Sequence, residues 1–224
     1  MNLAEDSGDQ RLQIQAVLVA SAHALELDLS QQEQARLLDF VDLLARWNRT
    51  YNLTAIRDPF AILTHHVLDC LAAVAPLRRQ LGSRQAAHVL DVGSGGGLPG
   101  LIFAIMLPRA SLVCVDSVGK KIAFVRQAAA SLRLDNVEVV HGRVEAMTGS
   151  FDVIASRAFA SLSDFTRLTF DLLNPAGVWM AMKGRSPLDE ISGLARTVHV
   201  FHVEPLRVPN LDAERCLVWM TKTS

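Results

Sequence analysis

The chain has 224 residues, half of them apolar, enough for one substantial domain with its own core and a small appendage. With 22 Lys plus Arg against 23 Asp plus Glu, no global positive field draws the molecule onto nucleic acid, so any RNA site has to be a local patch. Three cysteines (70, 114 and 216) without a C-x-x-C pair argue against a disulfide framework or zinc knuckle, the polar, acidic start is unlike a signal peptide, and unbroken apolar runs such as Leu101 to Leu107 are too short for a bilayer; a cytoplasmic protein without a membrane partner is expected.

In chain order, apolar residues fall at helical spacing from about Gln10 to Leu25 and from Gln31 to Trp47, the second stretch introduced by Ser30 with Glu33 three residues on, a capping box. The segment WNRTYNLT (47 to 54) breaks that pattern. Asp58-Pro59 then opens a third amphipathic helix to about Ala75, with Pro76 as its stop. Residues 1–80 therefore read as an all-helical extension.

From Ala86 the pattern changes, and residues 81–224 read as the α/β domain to which that extension is attached. Val89 to Val92, Leu112 to Asp116, Val137 to His141, Phe151 to Ser156 and Val178 to Lys183 read as strands. Helices are expected near Pro99 to Leu107, Lys120 to Leu132, Leu162 to Leu173 and Pro187 to Leu194. That alternation predicts a doubly wound, mostly parallel sheet covered on both faces. Thr197 to Val203 and Arg215 to Thr221 add an antiparallel closing pair.

The segment HVLDVGSGGGLPG (88 to 100) places a glycine cluster between a buried strand and a helix start, where an open α/β sheet holds its ligand. No lysine follows Gly100 in P-loop fashion, which argues against a nucleoside triphosphate. Gly95, Gly97 and Gly100 formally satisfy G-x-G-x-x-G, and Asp116 closes the next strand where a ribose-binding acid belongs, so a dinucleotide stays open. Asp91, two positions before Gly93, weighs against it. A carboxylate beside a pyrophosphate costs several kcal/mol at roughly 4 Å and an effective dielectric near 20, whereas it favours the sulfonium and ammonium of S-adenosylmethionine. The triple glycine suggests a floppy loop whose affinity leans on Asp116 and Arg157.

With that loop in place, WNRTYNLTAI (47 to 56), THHVLDCL (64 to 71), VDSVGKKIAFVRQ (115 to 127), GRVEAM (142 to 147), SRAFASL (156 to 162) and MKGR (182 to 185) make nearly the whole chain resemble the RsmG (GidB) family. The resemblance implies a Rossmann-like class I methyltransferase fold that uses S-adenosylmethionine to methylate guanine N7 in a stem-loop of 16S rRNA near the decoding centre. Carried across by position, the cofactor site would take in Gly93 and Leu98, Asp116 and Ser117, Val144 and Glu145, and Arg157, beside the Asp91 and Gly95 already singled out. Guanine N7 carries a lone pair and no proton, so no catalytic base is expected, and the fourth strand exits as Ser156-Arg157-Ala158-Phe159-Ala160 rather than as an amine methyltransferase's (Asn/Asp)-Pro-Pro-aromatic tetrad.

For RNA, Arg157, Lys183 and Arg185 are candidates for the base or a phosphate, and Phe159 for stacking. Arg46, Arg49, Arg57, Lys120, Lys121, Arg126 and Arg133 could form a basic rim. His65, His66 and Asp69 have helical spacing but poor metal geometry, so no metal is expected. The partner would be 16S rRNA or the small ribosomal subunit, with the protein a monomer. The competing classes are an NAD-dependent oxidoreductase, which lacks a tyrosine-lysine pair here because Tyr51 is the chain's single tyrosine, and a non-catalytic RNA-binding assembly factor.

Overall fold

A computed structural model describes residues 3–84 and 86–223, with side chains from residue 8 onward. Five strands, β1 (His88–Val92), β2 (Ser111–Asp116), β3 (Val137–His141), β4 (Phe151–Arg157) and β5 (Leu173–Lys183), run parallel. The tail strands β6 (Val198–Leu206) and β7 (Arg215–Lys222) are antiparallel to each other, and β7 inserts beside β5. Among the described residues the sheet order is β3-β2-β1-β4-β5-β7-β6. The chain leaves β3 at one edge and returns beside β1, so the strand order reverses between β1 and β4. A crevice opens at the carboxyl ends of strands at such a point, and ligands bind there.

Alternation along β1 divides the core. Val89 packs with the N-terminal helices while Leu90 and Val92 face the opposite layer. The first layer contains α1 (Leu3–Ala24), α2 (Gln31–Tyr51), α5 (Val74–Leu81), α6 (Gly100–Met106) and α7 (Gly119–Ser131); the second contains α8 (Leu162–Leu168) and α9 (Leu188–Ser192). The helices of residues 1–80 thus share one continuous core with the sheet, and they form a layer of the sheet domain without a core of their own.

The Ser30 capping box is present, with Glu33 N–H donating to Ser30 Oγ and Ser30 N–H to the Glu33 carboxylate. Pro76 does not end the third helix. The segment runs on as α3 (Pro59–Ile62), a π-helical stretch Leu63–Leu68, α4 (Asp69–Ala72) and α5, where Pro76 sits in the first turn and its missing N–H costs no hydrogen bond. Pro59–Leu81 is long and apolar enough to cross a membrane, and 67% of its most apolar stretch is buried inside the protein, which accounts for its composition. Asn174-Pro175-Ala176-Gly177 lies within β5, at a register shift opposite Phe151 and Val153. The eighth helix is also shorter than its apolar pattern suggests, giving way to a 3-10 turn over Phe170–Leu172.

Candidate active site

The glycine loop is pinned. Gly93 and Ser94 N–H both donate to Val115 O, Gly97 and Leu98 N–H to Ser94 O, and Gly95 N–H to Asp116 Oδ2 at 2.9 Å. Gly93, Gly95 and Gly97 have φ of +68°, +56° and +76°, a region only glycine enters cheaply, so the glycines permit the turn that these bonds close. A Cβ on Gly93 would lie 2.5 Å from the Phe159 ring, and one on Gly100 would collide with Asp91 and Cys114.

Two adjoining hollows open above this loop. The smaller, about 310 Å³, is lined by Val115 to Val118 at the end of β2, Gly142 to Glu145 after β3, and Ala158 and Phe159 after β4. The larger, about 680 Å³, lies between Ser94 to Gly96, Leu98, Arg157, Met182 to Gly184 and Arg215 on the sheet side and Leu44, Leu53, Thr54, Ile56, His65, His66 and Asp69 on the helical side. Gly93, Lys121 and Ala158 line both. Gly93, Asp116, Ser117, Val144 and Glu145 therefore gather in the smaller hollow, and Gly93, Gly95, Leu98 and Arg157 in the larger.

Asp91 is placed differently from the expectation. Its carboxylate is fully buried below the loop, where Oδ2 accepts from Gly100 N–H at 2.8 Å, and it lines neither hollow. Burial pushes its carboxyl up to about 7, against the pull of that N–H and of Arg157. Its other oxygen and the Ser94 hydroxyl are buried without a hydrogen-bond partner among the described residues. Asp116 accepts from Gly95 and Val118 N–H, and Lys121 Nζ stands 3.9 Å from it.

The helical wall of the larger hollow is an ion-pair network that no short motif displayed. Asp69, 4% exposed, accepts from Arg157 Nη1 at 3.1 Å and from Arg215 Nε at 2.9 Å. Arg157 also donates to the His65 carbonyl and lies 3.4 Å from His66 Nδ1, whose Nε2 is 2.9 Å from Thr54 Oγ1. Burial, with help from Arg157, lowers His66 to about 4, so its ring is neutral near pH 7. Buried Asn48 shapes the adjoining loop by accepting from Thr54 N–H and donating to Ile56 O. The helix does not break at WNRTYNLT as expected: Trp47 to Tyr51 stay in α2, which ends where Asn52 takes φ +48° and the chain folds back onto Asn48.

Arg157 thus spends donors on the helical wall, and Lys183 pairs with Glu190 at 2.9 Å, so neither guanidinium nor ammonium is free in the way the sequence suggested. Burial pushes the Glu190 carboxyl up, but bonds from Lys183 and the Leu162 N–H outweigh this and hold it below the usual range. Phe159 lies over Gly93 beside the smaller hollow and packs edge-on against Phe165. Arg49, Arg57 and Arg185 are exposed; Arg57 donates to Asn52 and Lys120 to the Tyr51 carbonyl, near the mouth of the larger hollow. Arg126 instead donates to Val139 O on edge strand β3 and lines neither hollow. Sequence reasoning missed Thr54 and Arg215. A signal existed for Asp69, a carboxylate amid the otherwise apolar run Val67 to Ala73, which has to be paired if that run is buried.

Residues 33–218 match the family model described as rRNA small subunit methyltransferase G (GidB). The chain is 56% identical over 206 residues to ribosomal RNA small subunit methyltransferase G of Polaromonas sp., covering 91% of each chain. It is 55% identical over 217 residues to the protein of that name in Paracidovorax citrulli, covering 92% of this chain and 89% of the other. In fold it is similar to TrmN from Thermus thermophilus, with a TM-score of 0.57 at 20% identity over 72% of this chain and 53% of that one. A SAM-dependent methyltransferase from Aquifex aeolicus gives 0.55 at 15% identity over 73% and 93%.

Proposed function

The chain belongs to the rRNA small subunit methyltransferase G family, and from that premise we propose that it transfers the methyl group of S-adenosylmethionine to N7 of a guanine in 16S rRNA. The observation that carries the reading is the pair of hollows meeting at Gly93, Lys121 and Ala158, at the carboxyl ends of the strands. The smaller suits the nucleoside of the donor, with Asp116 for the ribose hydroxyls and Glu145 for the adenine amino group. Its amino-acid portion carries an ammonium, which the Asp91 carboxylate buried below the glycine loop would favour through its charge rather than by contact. The larger hollow, walled by the helical layer, is left for the guanine.

The chemistry asks little of the side chains beyond position. The N7 lone pair attacks the methyl carbon in line, the N–C bond forms as the C–S bond breaks, and the products are S-adenosylhomocysteine and a cationic N7-methylguanine. No proton leaves N7, so no general base is required. Neutral His66 is unable to add positive charge against the cationic base. The Asp69 carboxylate, between two arginines, fixes their guanidinium groups so that Arg215 can meet O6 or a phosphate. Catalysis then rests on orientation and exclusion of water.

RNA would enter over the rim that carries Arg49, Arg57 and Lys120, with Arg185 beyond β5. The oxidoreductase reading loses its footing, since an orphan carboxylate oxygen under the glycine loop opposes a pyrophosphate. The test is calorimetric titration with S-adenosylmethionine and, separately, NAD, followed by mass spectrometry of nuclease-digested small-subunit RNA for N7-methylguanosine. Binding of S-adenosylmethionine alone and appearance of the methylated base are expected. Binding of NAD, or RNA binding without methylation, would overturn the reading.

A further inference from the structure

Glu190 lines neither hollow, yet its carboxylate closes a clasp beneath the partition between them. Oε2 accepts from Leu162 N–H at 2.7 Å, and its two oxygens take the Lys183 ammonium at 3.0 and 2.9 Å. Lys183 donates in turn to the Ala160 carbonyl at 3.2 Å. Lys183 at the end of β5 and Glu190 on α9 thereby hold the segment that follows β4. That segment is the shared wall: Arg157 lines the larger hollow, Ala158 both, and Phe159 the smaller. It carries strain of its own, because Ala158 has φ +53° without being glycine.

A second path leads from the clasp to the glycine loop. Leu162 N–H is one of the free donors opening α8, so the Glu190 contact also locates that helix. Phe165 on α8 meets Phe159 edge-on with ring centroids 6.5 Å apart, and Phe159 lies over Gly93. A shift at Leu162 would therefore reach the floor of both hollows.

We infer that Glu190 is a positioning residue for methyl transfer, holding residues 157–161 in place through Lys183 and the Leu162 N–H. The inference rests on reading the two hollows as donor and acceptor sites. Alignment of reacting groups is sensitive on this scale, a 1 Å misplacement costing about 100-fold in rate. Loss of the clasp would act on both the seating of the donor and its alignment with the base.

The experiment compares wild type, Glu190→Ala, Glu190→Gln, Lys183→Met, the double variant Glu190→Ala with Lys183→Met, and Asp189→Ala as a control on the same short helix. Calorimetric S-adenosylmethionine binding, kcat on small-subunit rRNA and thermal midpoints are measured for each. For Glu190→Ala, donor affinity should fall about tenfold and kcat at saturating donor should fall further, while the midpoint moves by less than about 5 °C. Glu190→Gln, which keeps an acceptor for Leu162 N–H, should recover part of both losses. The double variant should be no worse than Glu190→Ala, because both residues act through one clasp. Glu190→Ala with affinity and kcat within about twofold of wild type overturns the inference, as does a loss that Glu190→Gln leaves wholly unrescued. A wild-type protein that binds no S-adenosylmethionine overturns the underlying reading of the hollows instead.

Discussion

The smaller hollow is assembled from strand ends and the loops that directly follow them, so each wall is a short stretch of sequence: 115–118, 142–145 and 158–159. The larger is closed by residues far apart in the chain, as when Asp69 reaches Arg157 across 88 positions and Arg215 across 146. The first depends on backbone geometry at glycine turns and the second on buried charge. Backbone geometry fails through a bad contact, buried charge through an unpaired partner, and the two regions should break differently.

The largest effect is expected at the glycine loop. Gly93→Val forces a side chain into a left-handed conformation and against the Phe159 ring, so S-adenosylmethionine affinity should drop by more than about 100-fold. Calorimetry on the folded variant reads this directly, and retained affinity would show that the loop has room the structure denies it.

Asp69→Ala should act chiefly through stability. Removing the shared acceptor leaves two partly buried guanidinium groups facing each other, a change worth about 3–5 kcal/mol in unfolding free energy. Urea denaturation measures it. Donor affinity should suffer less than after Gly93→Val; an unchanged denaturation midpoint would mean that the network contributes nothing net.

The smallest effects are in pH dependence, where the two regions pull in opposite directions. Asp91 has its carboxyl raised from 3.8 to about 7, so the unliganded fold is favoured by this group at low pH and loses that contribution as pH rises toward and through about 7. His66, lowered from 6.5 to about 4, stabilises the fold above 6.5, and its contribution is lost as pH falls through that window. Between about 6.5 and 4 the two oppose each other. Asp91→Asn should therefore steepen the loss of stability on acidification, and His66→Gln should reverse it. An ammonium-bearing donor needs Asp91 charged, so its affinity should fall about tenfold from pH 8 to pH 6 in wild type and stay level in Asp91→Asn. Equal slopes in the two proteins would remove Asp91 from the donor site.

The contrast between the hollows also marks what could be read in advance. Strand alternation with helices, the Gly93 to Gly97 loop and Asp116 at the next strand end are local patterns, and they located the fold and most of the smaller hollow. The capping box at Ser30 was legible for the same reason, since cap and partner are three residues apart. Pro76 misled because a proline is equally at home in the first turn of a new helix, and only the π-helical detour and the break between helices at Ala73 decided between stop and start. Asp91 was recognised as important, but its burial below the loop and its bond from Gly100 N–H were not legible, because sequence spacing does not say on which side of β1 its carboxylate emerges.

By itself, then, the chain's sequence determined the parallel sheet, the cradle at its first strand and the acid at its second, since each follows from backbone propensities and contacts within a few residues. Tertiary structure alone decided that Asp69 would lie between Arg157 and Arg215, that Lys183 would be held by Glu190, and that the helical layer would share the sheet's core and form the wall of the larger hollow. Those arrangements pair charges brought together only when distant elements pack. Long side chains satisfy their charge with whichever partner burial leaves within reach, and that choice is made by the fold as a whole.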